Sequence, residues 1–368
     1  MRIALIIERF EPGAGGVENA GWIVAHELAR AGNEVHVVAR QVAPTREIRL
    51  HQMEVSTLWQ PLRVLEFSRA AARAAPRRNF DIVYSFARTA QQDVFRAGGG
   101  SHADYLDRRY RGLHRVLCRV SPRHRVLLAM EERVFRDPTQ LVQCNSEMVR
   151  RELQTRYALP PERLAVIRNG VDLTHFHPEN RDTHGIPLRR ELSAKEALVW
   201  LFAGSGFARK GLDTALRALA LSEQRNTQLW VAGADGTVPW LRVARSLGVE
   251  SRVRFLGFRR DMRTLYAAAD ALLLPTRYDA CANVCLEAAA AGIPVLTSTA
   301  NGAAELFADT GLAAHDPDDA NGFARALDEL SDSTLRVRLG KTARAAAQNL
   351  SWSAQVRSLR ALFASIRR

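Results

Sequence analysis

Short apolar runs alternate along the chain with glycine turns and stretches of helical period. Residues 2 to 7 are apolar and β-branched, which predicts a buried strand. A glycine-rich turn follows, Pro12-Gly13-Ala14-Gly15-Gly16, and then 17 to 31 carries helical periodicity until Gly32. Residues 34 to 39 alternate and predict a second strand, which completes a strand–helix–strand unit and implies a parallel sheet. Further strands are expected at 80 to 86 and 140 to 144, with a long arginine-rich helical stretch from about 105 to 135 between them.

The register changes near 176 to 192, where Pro178, Gly185 and Pro187 punctuate a polar stretch that reads as a linker. After it the same grammar restarts. Strands are expected at 198 to 203, 228 to 232, 253 to 256, 271 to 274 and 294 to 297. Helices are expected at 212 to 221, 238 to 247, 262 to 269 and 284 to 291. The final stretch, 353 to 368, reads as a basic amphipathic helix. Two runs of this grammar predict two Rossmann-like, doubly wound α/β domains, 1–177 and 190–350. Such sheets bind ligands at the carboxyl ends of their strands, so the active site is expected in a cleft between the domains.

Composition narrows the class. A chain of 368 residues, 47% hydrophobic and 25% charged, is ordinary for a globular protein. It contains no apolar run of about 18 residues to span a bilayer, and its first residues are too short and too soon charged for a signal peptide. Four cysteines do not make a disulfide framework in a chain of this length, which fits a reducing cytoplasm. The net charge of +13 points to an anionic partner. Lysine occurs only at 195, 210 and 341, so part of the basic character is an arginine-rich, GC-rich compositional bias.

Motifs in order carry more than any one alone. CNSEMVRREL begins at Cys144, VIRNGVDLTHFHP at Val166 and FAGSGFARKGLDTALRALA at Phe202. A long run from Val253 to Leu306 contains TRYDACANVCLEAAAAGIPV. Together they resemble the retaining family-4 glycosyltransferases of the GT-B fold, over nearly the whole chain, which implies that the C-terminal helix, about 353–368, packs back on the first domain. FRAGGGSHADYL and GSGFARKG look most like the subgroup that adds glucose to an inner-core heptose of bacterial lipopolysaccharide.

That resemblance implies donor-binding roles for specific residues. The loop at Gly15 and Gly16 would face the donor diphosphate and the acceptor. A helix N-terminus can hold phosphate, although an isolated glycine pair reads equally as a plain turn. Lys210, with Arg209, would neutralise the diphosphate leaving group. The family's partner arginine falls where this chain has Ser205, so either Arg209 supplies the second charge or Ser205 donates a hydrogen bond. Two carboxylates separated by seven residues, Asp279 and Glu287, bracket the loop of Cys281, Ala282, Asn283 and Val284. The loop amides would meet sugar and phosphate, and Glu287 would accept from the ribose hydroxyls. Asp279 is one methylene shorter than the family's glutamate. Asn301, where the family often has glycine, tolerates left-handed backbone and is read as structural support for the sugar loop. Phe258 falls where the family's backbone meets the base, with simple packing as the competing reading.

On the acceptor side, His102 follows Gly98-Gly99-Gly100 and is expected either to position the hexose or acceptor hydroxyl or to be a surface residue. Arg108, Arg109, Arg111, Arg115, Arg119, Arg123 and Arg125, interleaved with Leu106, Leu113, Val116 and Leu117, form either a solvated face or a patch for a phosphorylated lipid-linked glycan and the anionic leaflet. Nucleic acid is disfavoured, because no aromatic spacing suits base stacking. Three metal-like patterns are set aside: Asp316-Pro317-Asp318 as a turn and cap, His175-Phe176-His177 as part of a structural segment, and Cys281 with Cys285 as a pair lacking partners. The resemblance implies no resident cofactor and no required metal, UDP-glucose as co-substrate, and a peripheral place at the inner face of the cytoplasmic membrane. The alternatives are a mannosyl- or N-acetylglucosaminyltransferase acting on another glycan, or a non-catalytic scaffold of the same fold.

Overall fold

A computed structural model describes residues 1–13, 15–55, 59–110, 112–310 and 315–366, without the side chains of 113–115 and 309–310. The chain divides into two compact units, Met1–Gly170 with Trp352–Arg368, and Val171–Ser351.

In the first unit the described residues form a seven-stranded parallel sheet. Its strands are β1 (Arg2–Phe10), β2 (Glu34–Val42), β3 (Arg49–Gln52), β4 (Ile82–Ser85), β5 (Val94–Ala97), β6 (Leu141–Cys144) and β7 (Leu164–Val166), in the order β3-β2-β1-β4-β5-β6-β7. The helices are α1 (Gly16–Arg30), α2 (Gln60–Ala74), α3 (His102–Arg109), α4 (Gly112–Val120), α5 (Pro122–Arg136) and α6 (Glu147–Tyr157). Both sheet faces are covered, as parallel sheets require. Ile3, Leu5 and Ile7 face α1 and the last helix of the chain through Val24, Val356 and Phe363. Ala4 and Ile6 face α2 through Phe67 and Ala71.

In the second unit a short π-helical turn (Arg181–Gly185) leads into α7 (Ile186–Glu191). Then come β8 (Leu198–Ala203), α8 (Phe207–Lys210), α9 (Leu212–Leu221), β9 (Thr227–Ala232), α10 (Val238–Ser246), β10 (Val253–Gly257), α11 (Met262–Ala268), β11 (Ala271–Leu274), α12 (Asn283–Ala290) and β12 (Val295–Thr297). The five strands described run parallel in the order β10-β9-β8-β11-β12. Helices α13 (Ala320–Glu329) and α14 (Ser333–Ala347) follow, and α15 (Trp352–Ala364) belongs to the first unit. Trp200 and Trp230 are buried at the centre of this second sheet.

Several expectations need correction. The division falls at Gly170, ahead of the expected 177–190 linker. Val171 bridges to Ser351 and takes the Leu350 carbonyl at 2.7 Å, and it joins the second core. The supposed linker is largely helical, because Leu188 is buried and Arg189 binds Asp270, giving that stretch a packed face. The helical stretch expected at 105–135 is divided into three helices. Ser121 caps α5 by accepting from the His124 amide, and Pro122 stands in its first turn, which breaks the run. Strands β3, β5 and β7 and helices α2 and α6 are not among the elements expected from the sequence. No helix among the described residues is long and apolar enough to cross a membrane.

Candidate donor and acceptor sites

In the second unit the strand order reverses between β8 and β11, the place where doubly wound sheets open a crevice at their carboxyl ends. The turn after β8 carries Arg209 and Lys210, and the turn after β11 carries Asp279. The Lys210 ammonium donates to Asp279 Oδ2 at 2.6 Å, and Arg209 Nη1 donates to the same oxygen at 3.1 Å and to the Tyr278 carbonyl at 2.9 Å. Lys210 is only 7% exposed. Burial alone would raise the Asp279 pKa, but Lys210 and Arg209 outweigh it and hold the carboxyl below its ordinary value. Two cations on one carboxylate leave one positive charge in excess.

The backbone of this turn is held from three sides. Gly211 sits at φ +80, where a Cβ would fall 1.9 Å from the Pro275 carbonyl oxygen, so only glycine can follow Lys210 there. Arg277 donates from its amide to the Arg209 carbonyl at 2.8 Å and from Nη1 to the Ala208 carbonyl at 2.7 Å. Asp235 accepts from the amides of Gly206 and Phe207 at 2.8 and 2.6 Å. Asp235 and Arg277 were not singled out by the sequence reading. Ser205 is exposed, and its hydroxyl accepts from the Ala234 amide at 3.2 Å. It thus has a structural partner within the loop, while Arg209 stands beside Lys210 as the second cation.

Glu287 lies on α12 and accepts a hydrogen bond from the Tyr266 hydroxyl at 2.8 Å. Burial pushes its pKa up, with Tyr266 and Lys210 acting in the opposite direction. Tyr266 is itself fully buried and packs edge-on against Phe176 at 5.5 Å. The segment containing His175 and His177 therefore supports Glu287 from behind. Cys281 and Ala282 are buried, Asn283 and Val284 half-buried. The Ala282 amide already donates to Asn301 Oδ1 at 3.2 Å. Asn301 supports the loop as expected, through its side chain and not through left-handed backbone. Its buried amide group also accepts from Ala303 and donates to Thr297 Oγ1 and Cys285 Sγ, which ties the loop to β12. Phe258 is 59% exposed, so the packing reading fails. Burial pushes the Cys285 thiol up to about 12, and the described residues contain no cluster of ligands that could hold a metal. The Asp318 amide donates to Asp316 at 2.9 Å, the turn expected there, but α13 is capped by the following residue, Asp319.

In the first unit Gly15 precedes α1 without a side-chain cap. A Cβ there would lie 2.5 Å from Glu18 Oε2, so the helix start faces its own carboxylate. His102 opens α3 and is no surface residue: its Nε2 lies 2.9 Å from His124 Nδ1, and its ring stacks on His124 at 5.1 Å. Burial first, then Arg88, pulls its pKa down to about 4. Behind it Glu131 is fully buried. It accepts from Arg88 at 2.9 and 3.1 Å, from the Ser101 hydroxyl, from the amides of His102 and Ala103, and from the Tyr157 hydroxyl at 2.6 Å. Arg88, His124, Glu131 and Tyr157 lie far apart in sequence and carry no motif, so the sequence reading missed them.

The arginine run is partly paired: Arg108 with Glu152 and Arg119 with Asp107. Leu106 is buried, whereas Val116, Leu117 and Val120 are more than half exposed on α4. Arg111 and the side chains of Leu113 and Arg115 lie outside the described residues.

Comparison with known proteins adds an independent line. Residues 14–175 match the model of glycosyltransferase family 4, and residues 197–333 match the model of glycosyl transferases group 1. Lipopolysaccharide glucosyltransferase WaaG of Escherichia coli is 29% identical over 322 residues, spanning 84% of this chain and 83% of that protein. A D-inositol 3-phosphate glycosyltransferase of Corynebacterium aurimucosum is 27% identical, spanning 99% of this chain and 96% of that protein. The crystal structure of WaaG, a glycosyltransferase involved in lipopolysaccharide biosynthesis, aligns over 99% of this chain and 100% of its own, with a TM-score of 0.85 at 26% identity. Anabaena HepE in complex with UDP-glucose aligns over 99% of this chain and 99% of its own, with a TM-score of 0.73 at 19% identity, a likeness of fold. With a separate match in each half, a shared two-sheet fold and the ordered motifs, the chain belongs to the family-4 glycosyltransferases of the GT-B fold.

Proposed function

We propose that the protein transfers glucose from UDP-glucose, with retention of configuration, to an inner-core heptose of bacterial lipopolysaccharide. The observation that carries the donor side is the pair Lys210 and Arg209 sharing Asp279 at the strand-order reversal. An incoming diphosphate competes for two fixed cations and meets an excess positive charge. Those cations oppose the charge that grows on the leaving phosphate, the work a divalent ion does in metal-dependent transferases, so the reaction is expected to survive chelation. Glu287, steadied by Tyr266, accepts from the ribose hydroxyls. No side chain is assigned as a nucleophile; the leaving phosphate takes the acceptor's proton on the same face. His102, neutral at physiological pH, positions the hexose or acceptor hydroxyl. The WaaG likeness supports the acceptor. The exposed Val116, Leu117 and Val120 beside Arg119 support docking at an anionic leaflet. The inositol-phosphate relatives favour a second acceptor class, a small phosphorylated polyol.

The test is transfer from a panel of sugar nucleotides, with and without EDTA, to heptose-terminated core lipopolysaccharide in anionic or zwitterionic vesicles and to inositol 3-phosphate. Glucose transfer to the core acceptor, unaffected by EDTA and faster on anionic vesicles, is expected. Lys210→Ala should lower kcat by about 10²–10³-fold, and Glu287→Ala should chiefly weaken donor binding. Transfer only to inositol 3-phosphate would replace the acceptor; turnover of no donor by folded protein would leave the scaffold reading.

A further inference from the structure

The first unit contains a cavity of about 290 Å³ that the donor-side chemistry does not use. That volume is near the lower end of the roughly 300–1,000 Å³ typical of small-molecule sites, a size for one sugar ring. Its position follows from topology. The order of this sheet reverses at β1, which pairs with β2 on one side and β4 on the other. Pairing with β4 stops at Ile6, so the last four residues of β1 overhang and open a crevice at the carboxyl end.

Side chains alternate along β1. Ala4 and Ile6 pack toward α2, and Glu8 is the next residue on that face, where the apolar cluster ends. Glu8 is half-buried and has no hydrogen bond or ion pair among the described residues. The cations lining the cavity are already engaged, Arg9 with Glu18 at 3.8 Å and Arg88 with Glu131 at 2.9 Å. Phe67, Phe86 and Leu127 supply apolar walls.

The uncommitted capacity is therefore that of a carboxylate over an apolar floor. Hydroxyl groups can donate to it while the C–H face of a ring lies on the aromatics, whereas a phosphate would meet a like charge. We infer that this cavity is the subsite for an uncharged pyranose of the acceptor, with Glu8 as its specificity-determining residue. The inference rests on the reading of the protein as a transferase with a glycan acceptor.

Saturation-transfer NMR with methyl α-heptopyranoside, and with the same glycoside carrying a ring phosphate, tests it. The uncharged glycoside should bind the parent protein in preference to the phosphorylated one. Glu8→Ala should weaken it at least about tenfold, Glu8→Gln should weaken it less, and Val64→Trp, which fills the cavity, should abolish binding. UDP affinity, measured by calorimetry on each variant, reports folding and the donor site separately. No binding of the uncharged glycoside, equal binding in Glu8→Ala and Val64→Trp, or preference for the phosphorylated glycoside overturns the inference. Loss of UDP binding by the parent overturns the donor reading instead.

Discussion

The two units follow one grammar and open at the same topological place, yet their charge is arranged oppositely. In the second unit two cations converge on one half-buried carboxylate, Asp279, and a positive charge is left over. In the first unit many donors converge on one fully buried carboxylate, Glu131, which is saturated, while Glu8 stands uncommitted at the crevice. The lesson is that the fold supplies the crevice and the side chains at the strand ends decide its sign. One crevice suits a diphosphate, the other a hydroxyl-rich ring.

The largest effect that would break this contrast lies at Glu131. Replacing it by alanine strands the Arg88 guanidinium and leaves the Tyr157 hydroxyl and the amides opening α3 without their acceptor. Breaking a buried pair of this kind costs about 3–5 kcal/mol, which denaturant unfolding would register. A loss under about 1 kcal/mol would mean that the carboxylate is not the hub its contacts imply.

A second, smaller effect depends on pH. The folded site holds His102 near 4, against an ordinary 6.5. Above 6.5 the imidazole is neutral both folded and unfolded, and its contribution to stability is fully present. As pH falls below 6.5, the unfolded chain takes up a proton that the folded site refuses, so stability declines down to about 4. His124, Arg88 and Arg123 oppose protonation and Glu131 favours it. Thermal melts from pH 7 to 4 should show a steeper acid loss for the parent than for His102→Asn; parallel curves would refute the shift.

The smallest effect sharpens the second unit. Ser205→Ala removes one acceptor of a loop amide and should cost about 0.5–1.5 kcal/mol of stability, with kcat/KM changed by less than about threefold, since Arg209 already provides the second charge. A large drop in kcat/KM at unchanged stability would restore Ser205 as a diphosphate donor.

Much of the second unit was legible because its chemistry is local. Lys210, Asp279 and Glu287 each sit within a few residues of a strand end or helix start, in contiguous motifs, and strands 198–203 and 271–274 were read to the residue. The first unit's cluster draws on Arg88, His102, His124, Glu131 and Tyr157, which only the packing of α3, α5 and α6 brings together. Asn301 was legible as support for the loop, but only its surroundings show that its side chain, a buried bracket between loop and strand, gives that support.

The sequence by itself therefore determined the two parallel sheets, the order of their elements through most of the second unit, the family, and the motifs whose Lys210, Arg209 and Asp279 meet beyond β8 and β11. Apolar period and glycine position are local consequences of backbone geometry. Tertiary structure alone decided which carboxylates are saturated and which stay open, that His102 is neutral against His124, and that β1 overhangs β4 to open a crevice. Those outcomes depend on distances between residues tens of positions apart, and hydrogen-bond partnership and desolvation act through space rather than along the chain.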